Sequence, residues 1–373
     1  MAAPSKWVVI CCPVAGKKTG QQVVEEELIP AMKKQGIEVE VVMTERAKHA
    51  TELAKQHGSA TTGLIAVGGD GTIHEVMDGL IEGGKLETVR LGLLSQGTMN
   101  FYAISGGLPG PADLPVVIKS GTFRKQGLMK CNSGPQVKDM MCFEALYFGV
   151  GYHPAKGAQE WRNSMGPMFG IMLNLVNACM FPAKAAISGT MKLTLSDGKV
   201  ETLQDTFYWI VVTQRNPYNA TLTDDMWVSW ILLEDFPGFG RMMDFFAPEM
   251  ECLSSLTAAF SAHKKVKKFE WVQEDKCGPI GVCLDGDPTD GTQAITVEHV
   301  PRAWNICAEP SYPKRVPEEK TSVGWLTPAA KRWLNSNPPP AGTFVPEPAP
   351  QPTSWFCAGA RETDGEVMVQ AQK

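Results

Sequence analysis

No stretch of this sequence is apolar for long enough to cross a bilayer as a helix. The most apolar segment, from Met168 to Phe181, carries Asn174 and Asn177 and falls short of the roughly 20 residues a span requires. The ten cysteines are scattered, with no CxxC pair and no metal-ligand spacing, which excludes a disulfide framework and a structural zinc site as organising principles. The N-terminus, Met1-Ala-Ala-Pro-Ser5, lacks the basic and apolar parts of a secretory signal, so a reducing cytoplasm is the expected compartment. Charge of one sign is also scarce. The formal net charge of -5 over 373 residues exerts no global pull toward nucleic acid. The one dense basic run, Lys264, Lys265, Lys267 and Lys268, reads as a solvated face of a helix or loop, and is the best local patch for an anionic surface.

What is present is ordinary globular composition, 43% hydrophobic and 20% charged, at a length that suggests two domains. The first third alternates strand and helix signals. Trp7 to Cys11 is a short buried-strand run, Gln21 to Gln35 a helix, Ile37 to Met43 a strand, and Glu45 to His57 a helix closed by Gly58. Gly63 to Val67 is a third strand, Ile73 to Ile81 a helix, and Val89 to Leu94 a fourth strand. Such alternation predicts a parallel sheet covered by helices. After about Gly127 short strand-like runs with turn signals take over, which predicts an antiparallel β-sandwich. Past Glu309 the chain is proline-rich, with Pro338-Pro339-Pro340 and Pro346, Pro348, Pro350 and Pro352. That segment reads as largely disordered, with Trp325 and Trp333 in a candidate docking helix. The expected division is residues 1–126, an α/β domain; 127–308, a β-rich domain; and 309–373, the tail.

The strongest local signal is Gly68-Gly69-Asp70-Gly71-Thr72, after a strand and before a helix. Glycines permit positive φ and close approach to a ligand, and successive N–H groups at a helix start cradle an anion. Asp70 would repel phosphate, so it makes sense as a group that handles a proton or a metal. A tight turn is the bland alternative. A second loop, Ser95-Gln96-Gly97-Thr98-Met99-Asn100, follows the next strand at the same edge, where open α/β sheets bind ligands. The first loop, Pro13 to Gly20, carries Lys17 and Lys18 within reach of phosphates but lacks the GxxxxGK[ST] spacing. Late in the chain, Leu284-Asp285-Gly286-Asp287 suits a hairpin turn, or a magnesium ligand or general base if it faces a cleft.

Together, the GGDGT loop, the helix His74-Glu75-Val76-Met77-Asp78-Gly79-Leu80, the SQGTMN loop and the late Asp-Gly-Asp resemble the diacylglycerol kinase catalytic family. Thr44 to Leu53, TERAKHATEL, is similar to a segment of its sphingosine and ceramide kinase branch. The resemblance spans roughly residues 6 to 308 and is strongest in the first 110. It implies an α/β ATP domain and a β-sandwich lipid domain, with Mg²⁺-ATP in the cleft and a lipid substrate met at a membrane surface. By position, Thr44, Arg46 and His49 would line the nucleotide. Gly68, Gly69, Gly71 and Thr72 would cradle phosphates, and Gly97, Thr98 and Asn100 would close the second loop. Glu75 would support the nucleotide or its loop, and Arg162 would approach the phosphates. Lys17, Gly286 and Asp287 would complete the nucleotide side, and Asp285 or Asp287 could hold the metal.

The implied reaction is transfer of the γ-phosphate to a lipid hydroxyl. Asp70 is the expected base and Asp285 its rival. A sphingoid base is the first expectation for the acceptor, with diacylglycerol, another acylglycerol or ceramide as alternatives. Departures from the family pattern bear on this. Cys12 stands where the family's first loop has asparagine, and Tyr152 to Lys156 has no acid to meet a lipid amine. Phe101 after Asn100 argues against an NAD kinase. A weak nucleotide- or lipid-binding regulator is the reading from another class, and the joint presence of Asp70, Arg162 and Asp285 argues against it. The methionines of Met168 to Phe181 suit a lipid entrance or a core helix, and Phe236 to Phe239 with Met242 and Met243 suit a membrane-facing lip.

Overall fold

The computed structural model describes residues 4, 6–15, 20–96, 108–133, 137–161, 163–217, 222–238, 262–274 and 278–308. Lys17, Gly97, Thr98, Met99, Asn100, Arg162, Phe239, Met242, Met243 and the proline-rich segment lie outside them.

The N-terminal part is built on four parallel strands: β1 (Lys6–Cys11), β2 (Val39–Met43), β3 (Thr62–Gly68) and β4 (Arg90–Ser95). Their order is β2-β1-β3-β4. β1 and β3 are buried nearly throughout, as strands covered on both faces must be. One face meets α2 (His49–His57) and α3 (Asp70–Glu82), whose Leu53, Val76, Met77 and Leu80 pack on Val8, Ile10, Leu64 and Leu91. The other face meets α1 and α4 (Leu114–Ser120). α1 is one continuous run, Gly20–Val23, a π-helical turn Val24–Leu28, then Ile29–Lys34. α2 and α3 cross at Gly79, where an added Cβ would sit 2.2 Å from the Thr51 carbonyl oxygen. Gly79→Ala is therefore expected to destabilise the fold by about 1–3 kcal/mol, read as a lower urea midpoint; an unchanged midpoint would contradict the crossing.

The second part is antiparallel: β5 (Arg124–Ser133), β6 (Val137–Cys142), β7 (Ala145–Gly149), β8 (Ile187–Leu195), β9 (Val200–Arg215), β10 (Leu222–Leu232), β11 (Ala262–Gln273), β12 (Ile280–Leu284), β13 (Asp287–Thr292) and β14 (Ala294–Ile306). Two long strands serve both layers. β9 pairs with β8 through Val200 to Phe207, then with β7 and β10 through its second half. β11 pairs with β10 through its first half, then with β8 and β14. Strands that switch layers at register shifts are how such sandwiches turn their corners. One apolar core results, with Phe148, Phe207, Phe269 and Trp271 at its centre.

β14 ties the two parts together. It leaves the sandwich, and Asn305 and Ile306 pair in parallel with Arg90 and Leu91 of β4. Ala303, Trp304, Ile306 and Ala308 pack into the α2/α3 core.

Two helices cover the outer face of β7, β9 and β10. α5 (Tyr152–Trp161) and α6 (Pro167–Met180) meet at Gly157 and Gly170, where a Cβ on either would lie within 2.3 Å of the other's carbonyl oxygen. α6 has one core face, formed by Ile171, Leu175, Ala178 and Cys179.

The lysine run lies neither on a helix nor in a loop. It belongs to β11, whose alternation buries Val266 and Phe269 and turns the lysines outward. Lys264 pairs with Glu201 at 3.2 Å, Lys265 with Asp225 at 2.8 Å, and Lys268 with Glu270 at 3.3 Å. Acidic residues of β9, β10 and β11 itself thus offset it.

Candidate active site

In a sheet ordered β2-β1-β3-β4 the chain changes direction between β1 and β3, and ligands of open α/β sheets gather at that switch point, beyond the carboxyl ends of the strands. The ends of β1 and β3 are joined there by the Cys12 N–H donating to the Val67 carbonyl at 2.8 Å. Gly68-Gly69-Asp70 leaves β3 at this point and starts α3.

The glycines act here through space rather than through positive φ. Gly69 is extended at φ -74°, ψ 174° and caps α3 with no side-chain acceptor. At Gly68 a Cβ would strike the Thr72 side chain at 2.6 Å, whereas at Gly71 it would meet nothing. An uncapped first turn with an open glycine suits an incoming anion. Asp70 is the first residue of α3, half-buried, and accepts from the Ser95 hydroxyl at 3.4 Å. The Gln96 N–H donates to the Gly68 carbonyl at 2.6 Å, so the loop after β4 adjoins the loop after β3.

The loop after β2 closes on the same edge. The Thr44 N–H donates to the Cys11 carbonyl at 2.8 Å. The Glu45 N–H donates to His49 Nδ1 at 3.1 Å, and the Lys48 N–H, at φ 63°, donates to Glu75 Oε1 at 2.9 Å. Glu75 therefore holds this loop against α3, and His49 holds it against the start of α2. Arg46 is exposed and paired with Glu52 at 2.6 Å.

Asp285 reaches the same helix from the sandwich. Its side chain is 2% exposed and lies in the turn between β12 and β13, at φ 47° with Gly286 following at φ 96°. It accepts from the N–H groups of Phe143 (2.7 Å), Glu144 (2.9 Å) and Ala145 (3.0 Å) and from the Cys142 thiol (3.1 Å). His74 Nδ1 of α3 lies 3.4 Å from its second oxygen, and the imidazole meets the Phe143 ring edge-on with centroids 5.3 Å apart. His74 Nε2 is 3.6 Å from Asp78. Asp70, His74 and Asp78 are four residues apart and so share one helix face.

Burial works against a charged His74, but the Asp285 hydrogen bond and charge, with Asp78 and Asp287, outweigh it and push its pKa up to about 9 from 6.5. A group whose pKa rises on folding stabilises the fold fully below the unfolded value and loses that contribution as pH rises through the folded value. The unfolding midpoint should therefore fall more steeply from pH 6.5 to 9 in the wild type than in His74→Asn. Parallel pH profiles would show that His74 is uncharged.

Elsewhere, Tyr152 and Lys156 of α5 converge on Asp290 of β13, with Lys156 Nζ 2.9 Å from the carboxylate. Sequence reasoning gave no role to His74, Phe143, Tyr152 or Asp290. His74 alone left a signal, its four-residue spacing from Asp70 and Asp78. Asp287 and Gly286 are exposed. Among the described residues no group of three or more His, Cys, Asp and Glu is placed to hold a metal, and the oxygens of Asp285 are already taken. The residues fit magnesium carried on phosphates, which needs one or two carboxylates at most, and not a protein cage.

Fold and site thus define an open α/β domain with its loops at the switch point, joined through β14 to an antiparallel sandwich. A solved diacylglycerol kinase from Bacillus anthracis has this fold, with a TM-score of 0.58 at 17% identity, covering 83% of this chain and 99% of that one. Residues 6–131, a third of the chain, match the family Diacylglycerol kinase catalytic domain. The chain's relatives include sphingosine kinase 1 of Arabidopsis thaliana, 31% identical over 33% of this chain and 26% of that protein. Sphingosine kinase 2 of Homo sapiens is 25% identical over 40% of this chain and 24% of the relative. A diacylglycerol kinase of Staphylococcus saprophyticus is 32% identical over 34% and 41%. The chain therefore matches about a quarter to two fifths of the length of these relatives.

Proposed function

We propose that this protein is an ATP-dependent lipid kinase, with residues 1–126 holding ATP and 127–308 the lipid. The observation that carries this reading is the uncapped first turn of α3 at the switch point, with Asp70 on it. The family match and the relatives' names support it. In this reading the amides of the Gly69–Thr72 turn hold phosphate, and the Thr44 to His49 loop borders the nucleotide. Asp70 accepts the proton of the lipid hydroxyl as its oxygen bonds to the γ-phosphorus and the bond to ADP breaks. Positioning and electrostatics supply most of the acceleration in such transfers. Magnesium, when bound with the nucleotide, would neutralise charge on the phosphates.

A sphingoid base is the first acceptor to try, given the sphingosine kinases among the relatives. The first half of α5, Tyr152 to Lys156, offers no acid of its own to a lipid amine, and Asp290, which meets it from β13, is paired with Lys156. That pairing favours a neutral head group and keeps acylglycerols and ceramide in the comparison. The deciding experiment is ATP-dependent labelling of sphingosine, ceramide, diacylglycerol and monoacylglycerol. Labelling of one lipid supports the kinase, and its head group identifies the substrate class. ATP binding with no lipid labelled would replace the kinase with a nucleotide-binding regulator.

The lipid must be met at a surface, and α6 suits that role. Phe169, Met172, Leu173 and Met180, with Phe181 after them, are 37–59% exposed along one stripe, and Lys184 stands over the Phe181 ring at 4.9 Å. An apolar stripe edged by a cation is what an interfacial helix presents to a membrane. Leu173→Asp should lower sedimentation with anionic vesicles several-fold, while equal sedimentation would remove α6 from the contact.

A further inference from the structure

We propose that His74 is a positioning residue. It fastens the Asp285 turn of the sandwich to the helix that begins with Asp70, and Asp285 is the buried receiver of that fastening and not the proton acceptor. The inference rests on the kinase reading for its catalytic consequence but on geometry for the contact itself.

The case begins with the lone pairs of Asp285. A carboxylate offers about four acceptor directions, and here three backbone N–H groups and one thiol donate to it, while the His74 imidazole closes over its second oxygen at 3.4 Å. Nothing remains for a substrate hydroxyl, and a side chain that is 2% exposed gives a lipid no path to it. A base must stand within hydrogen-bond reach of the proton it removes, and Asp285 does not meet that condition.

What Asp285 does hold is a junction. The three N–H groups belong to the β6–β7 link and the first residue of β7, the carboxylate itself to the turn between β12 and β13, and the imidazole to α3. Three separate segments therefore meet at one side chain. His74 is the one contact among them that comes from the α/β part, an ion-pair approach at 3.4 Å, and it stands one helical turn beyond Asp70. The Phe143 ring against the imidazole edge keeps the ring from turning away. Any shift of the sandwich turn relative to α3 would therefore move the lipid side of the cleft relative to the proposed base. A displacement of about 1 Å costs up to about 100-fold in rate.

The test compares wild type with His74→Ala, His74→Asn, Asp285→Asn and the double variant His74→Ala/Asp285→Asn, using the best-labelled lipid. His74→Ala should lower kcat by about 10–100-fold while the KM for ATP stays within about twofold, because the phosphate loop itself is untouched. His74→Asn keeps a donor and should recover part of kcat. The double variant should be no slower than the worse single one, because both remove the same contact. Wild-type kcat in His74→Ala, a loss seen in KM for ATP instead, or effects that multiply in the double variant would each overturn the proposal. The same four variants are unfolded in urea as an arm that needs no activity. A midpoint in the double variant no lower than in the worse single one supports the contact even if no lipid is phosphorylated, and additive shifts remove it. A wild type that labels nothing thus ends the kinase reading without deciding the contact, which the unfolding arm decides.

Discussion

Asp70→Asn will abolish lipid phosphorylation while leaving ATP bound. The substitution keeps the size of the side chain and leaves an oxygen to accept from Ser95, 3.4 Å away, so the start of α3 should hold its shape. What disappears is a carboxylate able to take the proton of the lipid hydroxyl. General-base removal costs about 100- to 10,000-fold, which in a labelling assay reads as no product. Nucleotide affinity should stay near wild type, or rise slightly, because a negative charge beside the phosphates has been removed. The measurement is paired: lipid labelling, and ATP binding by calorimetry on the same preparation. If Asp70→Asn retains more than a tenth of the wild-type rate, the base is another group. If binding vanishes together with the rate, Asp70 serves the nucleotide and not the proton.

Removing Arg215 alone will cost more stability than removing it together with its partner. Arg215 and Glu144 form an ion pair inside the sandwich, with side chains 9% and 4% exposed. Glu144 also gives its N–H to Asp285 and its carbonyl to the Thr213 hydroxyl, so the pair lies directly behind the junction at the proposed active site. Breaking a buried pair from one side leaves a desolvated charge, and the penalty is about 3–5 kcal/mol, a large share of the roughly 5–15 kcal/mol that keeps such domains folded. Replacing both charges by apolar groups removes the penalty with the attraction. Arg215→Leu should therefore unfold at a much lower urea concentration than Glu144→Leu/Arg215→Leu. A single variant within about 1 kcal/mol of wild type would mean that water reaches the pair.

Much of the α/β part was legible before any coordinates. Trp7 to Cys11 and Gly63 to Val67 are unbroken apolar runs bounded by loops, and central parallel strands have to look that way because both faces are covered. The helix end at Gly58 followed from chain-end chemistry, whereas α3, expected from Ile73, begins at Asp70. The sandwich was read less completely. β5, β6, β12 and β13 mix lysine, glycine, proline and aspartate into short strands, and their pairing partners lie far away in sequence, so no local pattern announces them. β11 runs from Ala262, and its lysines read as a solvated helix or loop face because two of the acids that offset them, Glu201 and Asp225, are distant in sequence.

The same division runs through the candidate site. That Asp70 sits in the first helical turn came from the structure; the sequence by itself determined that GGDGT follows a strand and precedes a helix, and that a second acidic turn exists near Asp285. Those are consequences of neighbours along the chain, where spacing decides which face a residue takes. Only the tertiary structure decided that β14 returns to β4, that β9 and β11 serve both layers, and that Asp285 is enclosed by Cys142, Phe143, Glu144, Ala145 and His74. The partners of that carboxylate lie 140 or more residues away in the chain. A side chain's hydrogen-bonding capacity is written in its chemistry, but whether that capacity is already spent depends on which distant segments the packing brings around it.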